Sequence, residues 1–106
     1  MSFEFTKKVG KTTGNGQITV PVEYNSVLDE LVRCPLGTSI PVTYCLPNGI
    51  SFSGKLYQSD NKSTCYYQFF LSDRDNKKIF KAIMVRYRKI RLSFDPSSLK
   101  LLISPN

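Results

Sequence analysis

A chain of 106 residues, 41% hydrophobic and 22% charged, has room for one ordinary globular core and little beyond it. Lys and Arg number 15 against 8 Asp and Glu, a formal charge of +7, and that excess favours a polyanionic partner through phosphate contacts and counterion release. There is no histidine, no Ser/His/Asp set, no phosphate-cradling glycine loop and no metal-ligand cluster, so the expectation is a binding protein, not an enzyme, with no metal or cofactor.

Along the chain the longest apolar runs are a few residues, too short to span a membrane. The opening MSFEFTKKVGK puts its lysines after its apolar residues and offers no signal-peptide core, so a cytoplasmic location is expected. Residues 3–9 and 17–22 predict two strands joined by the glycine-rich stretch 10–16. A short helix follows over 27–32, capped by Asn25 or Ser26, with Asp29 and Glu30 in its first turn and Pro35 and Gly37 past its end. Cys34, Cys45 and Cys65 are widely spaced and odd in number, which predicts reduced, semi-buried packing residues.

Strict alternation takes over from Ile40. Ile40, Val42, Tyr44 and Leu46 share one face, as do Ile50, Phe52, Gly54 and Leu56, and then Cys65, Tyr67, Phe69 and Leu71. Turn chemistry at 47–49, 59–63 and 73–76 makes these strands consecutive antiparallel neighbours. Residues 77–91 fit two elements. On a helix capped by Asp75, Ile79, Ile83, Tyr87 and Ile90 share a face; the abundance of Ile, Val, Phe and Tyr favours strands over 77–85 and 90–94, with a tight turn at 87–89. A last strand is expected over 99–103, after the turn 95–98.

From Gly49 to Asp60 the chain reads G-x-x-[apolar]-x-G-x-L-x-x-x-D, through Phe52, Gly54 and Leu56. Together with the preceding short helix and the strand count, this resembles the first signature of the Sm/LSm family. The second signature, an arginine–glycine pair between two apolar strands, is partly matched by Val85-Arg86, with Tyr87 in the glycine position. The resemblance implies a mainly β chain with a short N-terminal helix and a strongly bent, five-stranded antiparallel SH3-like barrel. The chain is then a single unit, 1–106: an N-terminal strand extension (1–25), the Sm-like core (26–94) and a C-terminal strand and tail (95–106).

In Sm/LSm proteins two loops face the hole of a ring, where a base is sandwiched between an aromatic side chain and an arginine while an asparagine bonds its edge. The resemblance therefore implies that Asp60 braces the loop, that Lys62 stands at the stacking position and Thr64 at the asparagine position, and that Arg86 is the guanidinium platform. A lysine does not stack as an aromatic does and a threonine offers one hydroxyl, so the implied site holds phosphate more than it selects a base. Arg88 and Lys89 extend a run, 77–91, that holds seven positive charges and no acid. The implied function is binding of single-stranded RNA, as a homo-oligomeric ring of about five to seven subunits.

A second reading starts from Gly14-Asn15-Gly16-Gln17-Ile18-Thr19-Val20-Pro21. This segment looks like the GQITIP stretch of AbrB-type swapped-hairpin transcription factors, and loosely like B3-type DNA-binding barrels. Those bind duplex DNA as dimers or through two loop arms, and Lys7, Lys8, Lys11 and Gln17 would then make the contacts. A ring that scaffolds other proteins without touching nucleic acid is the third reading.

Overall fold

The computed structural model describes residues 2–60 and 65–106. Chain order gives strand β1 (Phe3–Lys8), helix α1 (Lys11–Gly14), strand β2 (Ile18–Thr19), a 3-10 turn (Val22–Tyr24) and helix α2 (Asn25–Leu31). Strands β3 (Ser39–Cys45), β4 (Ser51–Gln58) and β5 (Tyr67–Phe70) follow, then helix α3 (Arg74–Met84) and strands β6 (Lys89–Asp95) and β7 (Lys100–Pro105). Among the described residues no helix is long and apolar enough to cross a membrane.

The strands form one curled, barrel-like sheet in the order β1-β6-β7-β3-β4-β5-β2. The meander β3–β4–β5 is antiparallel, as turn chemistry requires, with Tyr44 opposite Phe52 and Leu56 opposite Phe69. Non-local pairings complete the sheet: β1 lies antiparallel to β6, β2 to β5, and β3 runs parallel to β7. The barrel-like β architecture expected from alternation is present. Among the described residues it has seven strands and one parallel pair in place of a five-stranded antiparallel barrel, because β1, β2, β6 and β7 join the sheet beyond the meander.

The core is the inward half of that alternation. Phe3, Phe5, Val42, Tyr44, Phe52, Leu56, Tyr67, Phe69, Ile90, Leu92, Phe94, Leu101 and Ile103 are all buried, with Phe69 and Phe94 meeting edge to face at 5.0 Å. Two residues expected inside lie outside: Ile50 is 41% exposed on the β3–β4 turn, and Cys65 is exposed where the chain re-enters β5. Helix α2 begins at Asn25, two residues earlier than expected, with no side-chain cap; Asn25 instead donates to the Cys65 carbonyl at 3.1 Å.

Residues 77–85, expected as a strand, belong to α3. Their apolar residues do not alternate: they fall in adjacent pairs, Ile79-Phe80 and Ile83-Met84, spaced by a helical turn. The cap is Asp73, whose carboxylate accepts from the Asn76 amide at 2.9 Å, while Asp75 lies inside the first turn. Phe80 and Met84 are buried, and Phe80 meets the rings of Tyr44 and Phe52 edge-on at 5.8 and 6.1 Å, so α3 stoppers one end of the barrel. Val85, Arg86 and Tyr87 form the helix exit, closed by the Tyr87 amide bonding the Met84 carbonyl, and no strand turn exists there.

Asp73→Ala is expected to cost about 1 kcal/mol of unfolding free energy through loss of the cap, read as a lower urea midpoint at unchanged slope. Asp75→Ala should cost clearly less. The reverse order would return the cap to Asp75.

Candidate nucleic-acid interface

Strands β1 and β2 are the two outer edges of the sheet, and residues 9–17 cross between them. This link is anchored at one point. Gly16 has φ +84°, and a Cβ on it would stand 2.6 Å from Leu71 Cδ1, so only glycine fits there. The Gly16 carbonyl accepts a 2.7 Å hydrogen bond from the Tyr44 hydroxyl inside the barrel. To reach it, the Tyr44 ring crosses β4 at Gly54, where a Cβ would lie 2.6 Å from Tyr44 Cε1. Burial pushes the Tyr44 hydroxyl far above the usual tyrosine range, so it stays protonated and donates. Around this anchor α1 turns once, leaving Lys11, Thr12 and Gln17 exposed.

The second long link, 59–66, leaves β4 and returns to β5, with the Ser59 amide bonding the Tyr66 carbonyl at 2.9 Å. Helix α2 ties its base: Asp29 accepts from the Tyr67 hydroxyl at 2.5 Å and from Gln58 Nε2 at 3.4 Å. Burial first, and then the hydrogen bond and charge of Asp29, push the Tyr67 hydroxyl above its usual range.

Beside the first link, the outer face of β4 and β5 carries a hollow of about 590 Å³. Asn15 and Gln17 line it from the first link, Tyr57 from β4, Gln68 and Phe70 from β5, Leu71 just beyond, and Lys77 from α3. Tyr57 stands directly opposite Gln68 in the ladder, and Lys55 opposite Phe70. Among the described residues the lining thus carries three carboxamides, apolar and aromatic surface, one cation and no carboxylate. A smaller cleft, about 170 Å³, brings Lys11 and Lys81 together where α1 meets α3.

Of the residues implied by the Sm-type reading, Asp60 and Arg86 lie far apart. Asp60 lies past the end of β4, beside Gly37, whose Cβ position is 3.2 Å from Asp60 Oδ2. Arg86 stands at the opposite end, sharing a groove with Pro47, Asn48 and Ile50. The eight residues of β4 separate them, about 25 Å at strand rise. Arg88 precedes β6, its carbonyl accepting from the Val9 amide, and Lys89 pairs across the ladder with Lys8. Lys62 and Thr64 lie outside the described residues. Of the second reading's residues, Gln17 lines the hollow, Lys11 sits on the same link, and Lys7 and Lys8 end the strand that feeds it. Tyr57, Gln68 and Phe70 were missed as site residues. The signal available was two aromatics, Tyr57 and Phe70, on the outward face of consecutive strands, where they form a patch and are not isolated.

Two outcomes are expected from the anchor. Tyr44→Phe leaves the buried Gly16 carbonyl unpaired, at about 1–3 kcal/mol; Gly16→Ala overpacks Leu71 at a similar cost. Because both changes act on one contact, the double variant should lose less than their sum, by about 0.5 kcal/mol or more in a double-mutant cycle. The raised Tyr44 pKa sets a pH dependence too. Its stabilising contribution is complete below about pH 10, where the unfolded chain's tyrosine is still protonated, and fades as pH rises beyond that. Wild-type unfolding free energy should therefore fall more steeply above pH 10 than that of Tyr44→Phe.

No protein-family model matches the sequence, and no curated protein matches it. Among solved structures, the chain is similar to a hypothetical protein of Arabidopsis thaliana, with a TM-score of 0.51 at 11% sequence identity. The alignment covers 97% of this chain and 88% of that one, so the likeness extends over the whole barrel-like β fold and is a likeness of fold alone.

Proposed function

We propose that this chain binds duplex DNA, laying the hollow and the first link, residues 9–17, against the groove and its phosphates. The observation that carries this reading is the hollow itself: Asn15, Gln17 and Gln68 beside Lys77, with no carboxylate in the lining, on a chain of charge +7. Carboxamides read base edges and lysines hold phosphates, while a missing carboxylate removes the charge that would repel a polyanion.

Duplex is favoured over single-stranded RNA because the hollow gathers carboxamides and a cation on one face, whereas Arg86 stands at the far end of β4 from the loop that Asp60 would brace. Within the DNA-binding resemblance, β2 pairs with β5 of its own chain. That favours a single barrel gripping through two loop arms, in the manner of B3-type domains, over a swapped hairpin that needs two chains.

The test is a set of anisotropy titrations with a mixed-sequence duplex, its single strands and the matching RNA, each over a range of salt. Duplex should bind tightest, and log K should fall linearly with log salt. Lys11→Ala and Lys77→Ala should each reduce that slope by about one charge without changing sequence preference. Tighter binding of single-stranded RNA by a closed oligomer in light scattering would restore the Sm-type ring. No salt-dependent binding to any of the three would leave the scaffolding reading.

A further inference from the structure

Resting on the duplex reading, we infer that the hollow selects an A·T base pair from the major-groove side. Gln17 and Gln68 address the adenine, and Phe70 meets the thymine methyl group.

The lining argues this by base chemistry. A carboxamide presents one carbonyl acceptor and an NH2 donor side by side. That pattern fits adenine, whose major-groove edge offers the N6 amino donor beside the N7 acceptor. Guanine shows two acceptors and is met by arginine, and none of the five arginines (Arg33, Arg74, Arg86, Arg88, Arg91) lines the hollow. Cytosine shows an amino donor and is met by a carboxylate, which the lining lacks. Thymine adds a methyl group, and half-buried Phe70 supplies apolar surface for it beside Leu71.

Position supports the same assignment. Gln17 follows directly on the anchored Gly16, and its own amide bonds the Thr12 carbonyl at 3.1 Å, so the backbone beneath this exposed side chain is held. Gln68 sits in the β5 ladder opposite Thr19 and donates to Thr19 Oγ1 at 3.5 Å, a long contact that leaves its carbonyl and second N–H available. A base-reading side chain on a rigid element discriminates better than one on a free loop. Exposed Lys55 and Lys77 flank Phe70 and supply cations for phosphates beside the addressed pair. Lys77, the cation among the described lining residues, is the group best able to hold guanine's two acceptors instead, and the experiment separates it.

The full chain is used to select duplexes from a randomised pool, and affinities are then measured for the preferred site and its single-pair variants. An A·T pair should emerge whose replacement by G·C weakens binding about 5- to 100-fold, the usual worth of one two-point contact. Placing 7-deazaadenine there removes the N7 acceptor and should cause a comparable loss. Gln17→Ala or Gln68→Ala should erase the difference between the A·T and G·C duplexes; Gln17→Arg should shift preference toward guanine. A guanine preference abolished by Lys77→Ala would overturn the inference, as would indifference to 7-deazaadenine, which assigns any A·T preference to the minor groove or to DNA shape. Equal affinity for every base pair, with duplex still preferred over single strands, overturns the inference and leaves the duplex reading standing. Loss of duplex preference itself overturns both.

Discussion

The Tyr44 hydroxyl must find an acceptor, because a buried hydroxyl left unpaired costs about 1–3 kcal/mol. Its partner, the Gly16 carbonyl, belongs to the link between the two edge strands. One side chain therefore joins parts of the molecule that the backbone ladder leaves separate. The ring crosses β4 at Gly54, the hydroxyl pins the first link, and the edge of Phe80 from α3 packs against the ring at 5.8 Å. Barrel wall, link and helical stopper meet at this point, and the exposed residues on either side of Gly16 inherit their placement from it.

That dependence explains why two glycines far apart in sequence have the same purpose. Gly54 makes room for the ring and Gly16 for the link's approach to Leu71, and a Cβ at either position would stand 2.6 Å from a neighbouring carbon. Gly16 also needs its positive φ, which Gly54 does not. Gly54 was recognisable from spacing, as a glycine in the middle of an apolar strand. Its reason is different from a strand bend: it is the passage of Tyr44 to a carbonyl some thirty positions earlier in the chain.

What was legible in the sequence was local. Alternation picked out Val42, Tyr44, Phe52, Leu56, Tyr67 and Phe69 as one inner surface, and turn chemistry placed β3, β4 and β5 side by side. The partners of β1, β2 and β7 were not legible, because period-two patterning tells which face of a strand is buried and nothing about its neighbour. Helix α3 was misread for a physical reason: β-forming residue types weighed more than spacing, although apolar pairs a helical turn apart argue for a helix even when they are Ile, Phe and Met. The site divides in the same way. Lys11 and Gln17 could be singled out from the polar segment around them, whereas Tyr57, Gln68 and Phe70 converge only through the pairing of β4, β5 and β2.

Replacing a strand by α3 also redistributes the basic run of residues 77–91. On strands those charges would divide between two faces, Lys77 and Lys81 on one and Lys78 on the other. On α3 and β6 they point apart: Lys77 to the hollow, Lys81 to the cleft shared with Lys11, Arg86 to the groove at the β3–β4 turn, and Lys89 to the outer ladder opposite Lys8. A narrow strand could satisfy few of these at once. A duplex presents two phosphate rows flanking a groove about 12 Å wide, and can meet cations on both sides of a central hollow while that hollow faces the bases. On the proposed duplex reading, the same change of helix for strand is what suits this surface to a wide, rigid polyanion.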